Sequence, residues 1–244
     1  MVTRRGCDSW STCAPGGIVL ILDEVFTGFR LAAGGAKAYF GIAPDLITFG
    51  KTLGGGLPVG VLCGRSSLMK RYRDSRPGDI CFARGTFNAH PYVMAAMNAF
   101  LRRIETPEVR GLYADADQRW DARAATLNRR LAASGLPLRI INLSTIWTVL
   151  HLAPCRYNWM LQFYLRAEGL ALSWVGTGRI IFSLNFGDAE FGQVCDRFVA
   201  AAERMRDDGW WHTGPNASSR SIARAMVRET LASRRLKPGR SAPP

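Results

Sequence analysis

A chain of 244 residues, 48% of them hydrophobic, can bury one sizeable core, or a large domain with a smaller partner. No run of about 18 apolar residues exists and residues 1–17 lack a signal-like apolar stretch, so no membrane partner and a cytoplasmic location are expected. The net charge of +13 could mark a nucleic-acid surface, but residues 212–244 concentrate seven Lys/Arg against one acid and no basic stretch interleaves aromatics; no nucleic-acid partner is expected.

Residues 1–17 are irregular, mixing Cys, Asp, Ser, Thr, Pro and Gly without periodicity. Ile18 to Leu22 is a continuous apolar run, which predicts a strand in the middle of a parallel sheet, covered by helices on both faces. Further strands are predicted at Leu46–Phe49 and Val59–Cys63, then a short helix near Ser67–Tyr72. Pro91 suits a first helical position, and apolar residues at helical spacing follow over Tyr92–Ile104. A long amphipathic helix is predicted from Ala116 to Ala133, closed by Gly135; its arginines 119, 123, 129 and 130 read as a solvated face.

The texture then changes. Strands are predicted at Leu138–Leu143 and Trp147–Leu152, a helix over Tyr157–Glu168 closed by Gly169, and strands near Leu170–Val175 and Arg179–Leu184. Asp188 is the expected N-cap of a helix over Ala189–Asp207. The predicted organisation is therefore an irregular start (1–17), part of a large α/β domain (18–134), a small α+β domain (135–211) and a basic tail (212–244). Ile222, Met226, Val227 and Leu231 give that tail a short amphipathic helix. Six scattered cysteines without a close pair read as reduced thiols, and three distant histidines (His90, His151, His212) predict no metal site.

Three patches carry chemistry. Asp23 follows the apolar run, at the strand end where open parallel sheets bind ligands. An acid there needs a cation or strong donor, such as a protonated pyridine nitrogen; capping the following turn is the ordinary alternative. Lys51 sits between a strand and Gly54, Gly55 and Gly56, with little charge around it. Such a lysine is readily depressed in pKa and becomes a nucleophile toward aldehydes, the alternative being a surface lysine before a flexible turn. A phosphate-loop reading of Gly50, Lys51 and Thr52 fails, because the glycine required five residues earlier is Asp45. Gly85 and Thr86, just ahead of a helix, offer amides and a hydroxyl to an anion, or simply a cap.

Taken together, Asp23 to Arg30, then Pro44, Asp45 and Leu46 running into Gly50 to Gly60, then Gly85 and Thr86 before Asn88 to Pro91, resemble the class III pyridoxal-phosphate-dependent aminotransferases. Within that family they look most like the glutamate-1-semialdehyde aminomutase branch, on the Thr27 to Arg30 ending and the length of the Asp-to-Lys gap. Phe26, where ornithine- and GABA-type members often carry Gln, agrees. The resemblance is close from Ile18 to Ala99, looser to Trp211, and does not reach the tail.

The resemblance implies a fold-type I architecture, its carboxyl-terminal part, with pyridoxal 5'-phosphate as cofactor. Asp23 would pair with the pyridine nitrogen, Val25 would pack on the ring, and Lys51 would bond the cofactor and move the substrate proton. Gly85 and Thr86 would reach the phosphate of a neighbouring subunit's cofactor, which implies a homodimer. Arg179 falls where many aminotransferases hold a substrate carboxylate, although its flanking residues match poorly and a surface arginine is the weightier alternative. Family members carry a long segment ahead of the first strand. Seventeen irregular residues stand there in this chain, so a fragment, or one half of a split enzyme awaiting an N-terminal half, is expected. The expected activity is amino transfer between an amine or amino acid and a keto or aldehyde acceptor, or its intramolecular form; a catalytically impaired binding piece is the rival.

Overall fold

Three short strands open the first part of the structure, and the chain that joins them sets their directions. The structure, a computed structural model, describes residues 18–80, 85–172, 178–211 and 218–235. Strand β1 (Ile21–Asp23) runs parallel to β2 (Leu46–Gly50), placing Ile21 opposite Leu46 and Asp23 opposite Thr48. Their connection carries helix α1 (Gly35–Phe40), as a parallel crossover requires. Strand β3 (Gly60–Gly64) runs antiparallel to β2, Gly50 opposite Gly60 and Leu46 opposite Gly64. Between them lie only residues 51–59, a 3-10 turn (Lys51–Gly54), Gly55 and Gly56 at positive φ, and Leu57 to Val59, too little chain to cross a sheet.

Two expectations are thereby corrected. The sheet is mixed rather than wholly parallel, in the order β1-β2-β3. Among the described residues strand β1 lies at its edge, and Ile18, Val19 and Ile21 are 68%, 44% and 57% exposed. An apolar run records that a surface is fit for burial; it does not say which segment buries it.

Helix α2 (Ser66–Met69) leads into a hairpin absent from the sequence expectations, β4 (Tyr72–Arg73) with β5 (Arg76–Ile80), which turns at Asp74 and Ser75. Helix α3 (Pro91–Ile104) starts on Pro91 as expected and packs on the Lys51–Gly54 turn. Helix α4 (Pro107–Ala114) was not foreseen. Its signals are ordinary ones: Thr106 as N-cap, accepting a hydrogen bond from the Val109 amide at 3.4 Å, and Pro107 in the first turn.

The described residues form two compact units. The first runs to Arg119 and takes in 143–145 and 183–185; the second holds the described residues of 120–142, 146–182 and 186–235. Helix α5 (Ala116–Ala133) starts in the first and enters the second at Trp120. The second unit is built on a sheet of β6 (Leu138–Leu143), β7 (Ile146–His151) and β8 (Arg179–Ile181), in that order, with helices α6 (Leu161–Ala167), α7 (Asp188–Asp207) and α8 (Ser219–Arg235). Trp120, Trp147, Phe182 and Phe191 meet ring against ring in its core, beside buried Leu127, Leu131, Phe198 and Met205.

Asp188 is not the N-cap of α7; that position is Gly187. The Asp188 carboxylate instead accepts two hydrogen bonds from the buried guanidinium of Arg123, at 2.7 and 3.2 Å. Arg123 lies over the Trp120 ring and donates to the Phe186 carbonyl, so it is a buried partner and not part of a solvated face. Of the strand expected near Leu170–Val175, residues 170–172 are irregular and 173–177 lie outside the described residues.

Candidate active site

Parallel pairing brings the carboxyl ends of β1 and β2 side by side. Asp23 is the last residue of β1, and Lys51 follows the last residue of β2. This is the end of an open sheet at which ligands bind. Asp23 is exposed, and its Oδ1 accepts two hydrogen bonds, from the Val25 amide and the Thr48 hydroxyl, each 2.9 Å long. Its Oδ2 accepts none among the described residues. The Val25 amide and then the Thr48 hydroxyl hold the Asp23 carboxyl below its ordinary value; lost hydration opposes them and the nearby charge of Lys51 adds to them.

Lys51 has φ of +45°, a left-handed conformation that costs a non-glycine residue about 1 kcal/mol or more. Such strain tends to collect at functional positions. The Lys51 side chain is exposed, and among the described residues no carboxylate forms an ion pair with it. Just before it, Gly50 leaves room for its neighbours. A Cβ there would stand 3.0 Å from the Val59 carbonyl oxygen and 3.3 Å from Cγ1 of Val25, so the Val25 side chain packs against Gly50.

The adjacent acids divide their work. Alternation along the strand sends Glu24 away from Asp23 and into the interior, where it is 1% exposed. Its carboxylate accepts hydrogen bonds from the Ala36 and Lys37 amides, both at 2.7 Å, and from the Thr27 hydroxyl at 3.2 Å. Glu24 thus supplies the cap that α1 lacks locally. Gly35 is held to glycine by a φ of +71° and because a Cβ would lie 2.4 Å from the Glu24 carboxylate. The turn after Asp23 is fastened a second time by Tyr113, whose hydroxyl donates to the Phe29 carbonyl at 2.7 Å.

Gly85 and Thr86 lie in an exposed turn ahead of α3, closed by the Asn88 amide donating to the Gly85 carbonyl at 3.0 Å. No hydrogen bond among the described residues ties Thr86 to Asp23 or Lys51. Phe87 and Tyr92 are 79% and 77% exposed, and with Leu57, Val59 and Met94 they line a groove of about 400 Å³. Arg179 belongs to the other unit. It opens β8 opposite Thr148 and lines a cavity of about 170 Å³ with Val149, His151, Asn158 and Gln162. Burial pushes the His151 imidazole below its ordinary value. Among the described residues no group of His, Cys, Asp and Glu could hold a metal ion.

The geometry therefore joins Asp23, Val25 and Lys51, leaves Gly85 and Thr86 on a separate exposed turn, and puts Arg179 in the second unit. It also brings in Thr48, which sequence reasoning missed. A threonine in an apolar strand carries no signal of its own; only the register of β1 against β2 sets it opposite Asp23.

Known proteins place the chain in a family. The family model for Aminotransferase class-III matches residues 9–201, and the chain belongs to that family. It is 38% identical over 181 residues to a glutamate-1-semialdehyde 2,1-aminomutase of Desulfatibacillum aliphaticivorans, a match covering 69% of this chain and 40% of that protein. It is 42% identical over 137 residues to the protein of the same name from Nitratidesulfovibrio vulgaris, covering 56% of this chain and 31% of the other. Among solved structures, an omega-transaminase from Sphaerobacter thermophilus superposes with a TM-score of 0.67 at 25% identity, covering 83% of this chain and 47% of that one. A beta-phenylalanine aminotransferase from Variovorax paradoxus gives 0.64 at 29% identity, over 82% and 47%. The fold is accordingly part of the fold-type I transferase architecture, and the chain spans less than half the length of the curated relatives it matches.

Proposed function

We propose that this chain contributes the lysine and the ring-binding carboxylate to a pyridoxal 5'-phosphate-dependent transfer of an amino group between an amine or amino acid and a carbonyl compound. The observation that carries this reading is the placement of Asp23 and Lys51 together at the carboxyl ends of paired parallel strands, with one oxygen of Asp23 unpartnered among the described residues. The donor set fits the group. A carboxylate kept ionised by an amide and a hydroxyl is the partner that a protonated pyridine nitrogen needs, and a primary amine stands beside it.

When bound, the cofactor supplies an electron sink for negative charge on the substrate carbon. Asp23 holds positive charge at the ring nitrogen. Val25 packs against the ring. Lys51 is the covalent anchor, and its Nζ takes and returns the substrate proton. Gly85 and Thr86 are assigned to the phosphate of a neighbouring subunit's cofactor, and Arg179 to the substrate carboxylate. On this reading residues 18–134 belong to the large cofactor-holding domain, 135–211 to the small domain and 212–244 to a basic tail, in a cytoplasmic homodimer.

A second reading, an intramolecular amino shift, is favoured by the names of the curated relatives matched above. Both reactions use the same residues. The test of the shared site is chemical. The chain is incubated with pyridoxal phosphate, reduced with borohydride and digested, and the labelled peptide is mapped. Label on Lys51, absent in Lys51→Ala, is expected; label confined to other lysines overturns the assignment.

A further inference from the structure

We propose that Thr48 is a positioning residue for the Asp23 carboxylate, its hydroxyl joining the Val25 amide on Oδ1 so that Oδ2 stays open for a cationic ring nitrogen. The inference deepens the proposed function and rests on its assignment of Asp23. Asp23 and Thr48 are direct partners in the parallel register of β1 and β2. The same residue grips the neighbouring backbone, since the Glu24 amide donates to the Thr48 carbonyl at 2.9 Å. Main chain and side chain of Thr48 therefore fix the end of β1 from one strand.

The hydroxyl donates to Oδ1 at 2.9 Å, and the Val25 amide donates to that oxygen at the same distance. Two donors on one oxygen hold the carboxyl plane while leaving the second oxygen without a partner among the described residues. A β-branched side chain in a strand has few rotamers, so the hydroxyl is aimed before any ligand arrives. Aspartate is exposed here; without such bonds its carboxyl would rotate freely and turn either oxygen to water. Lys51 is the charged group nearest in effect and acts in the same direction, after the two hydrogen bonds.

The test separates this role from ordinary strand packing. Thr48→Val keeps the shape and removes the donor; Thr48→Ser keeps the donor and removes a methyl. In the cofactor-free full chain with carbon-13-labelled aspartate, Asp23 in Thr48→Val is expected to titrate about half a unit to one unit higher than in wild type. Thr48→Ser should titrate with wild type, since a hydroxyl donor remains. With pyridoxal phosphate added, Thr48→Val is expected to bind about three- to tenfold more weakly, as loss of one hydrogen bond implies, with Thr48→Ser close to wild type. An unchanged Asp23 titration in Thr48→Val overturns the proposal, as does a shifted titration with unchanged cofactor binding. Failure of the wild-type chain to take up the cofactor overturns the site reading itself, and the aspartate titration, made without cofactor, distinguishes that failure from a wrong role for Thr48.

Discussion

Tyr113 reports on whether the turn after Asp23 is held as the structure has it. Burial pushes its phenol from an ordinary 10.0 up to about 12, with the Arg30 charge pulling the other way. The fold therefore favours the neutral phenol, which donates to the Phe29 carbonyl. A raised pKa contributes stability that is complete below pH 10 and is lost as the pH rises toward 12. Tyr113→Phe should cost about 1 kcal/mol at neutral pH through the lost hydrogen bond. It should also remove this alkaline loss, read as tyrosinate absorbance alongside circular dichroism. A wild-type chain whose Tyr113 titrates near 10 would contradict the buried contact. At this scale the sequence exposed the residues proposed as reactive and hid their supports. Asp23 and Lys51 break an apolar and a glycine-rich setting and so stand out. Glu24 and Thr48 differ in nothing visible from any strand acid or threonine, because their roles come from sidedness and register, which are properties of two strands at once.

Helix α1 shows how an element can depend on a residue outside it. It has only six residues, no acid in its first turn and no side-chain cap of its own. Its first amides are satisfied by Glu24, twelve residues before Ala36. Glu24→Gln would replace one acceptor with an amide donor facing a backbone N–H. A cost of about 1.5–3 kcal/mol is expected for a lost charge-assisted bond at a buried position. Hydrogen exchange at Ala36 and Lys37 should quicken while α5 keeps its protection; unchanged exchange would show that Glu24 is not the cap. Elements with strong periodicity or end signals were legible: α3 with Pro91, α5 closed by left-handed Gly135, and β6 are found at or near their expected bounds. The direction of β3 was not read, although the short Lys51–Val59 connection contains the reason for it. Asp188 was misread because a capping residue and a buried ion-pair partner look alike until Arg123, 65 residues away, is in place.

At the scale of the whole molecule, the exposed apolar surface of the first unit has to be accounted for. Phe87 and Tyr92 are more than three-quarters exposed on a stretch from Gly85 to Tyr92 that carries no Asp, Glu, Lys or Arg. Interface cores are poor in charge and rich in aromatics, and isolated chains seldom leave such rings in water without use. The groove beside them, lined by Leu57, Val59 and Met94, offers a matching apolar wall. If Thr86 serves a neighbour's cofactor, this face is where two copies meet. Burying one Phe side chain contributes about 2–3 kcal/mol, and setting a carboxylate in its place adds a desolvation cost. Phe87→Glu should therefore weaken dimerisation by at least about 30-fold. Light scattering across a concentration series is the measurement, with circular dichroism confirming that the total helix content persists. A wild-type dimer that dissociates on substitution supports the interface. A dimer of equal strength in both proteins places the contact elsewhere, for instance on the exposed edge of β1 with Ile18, Val19 and Ile21, and removes the argument for Thr86 at the cofactor phosphate.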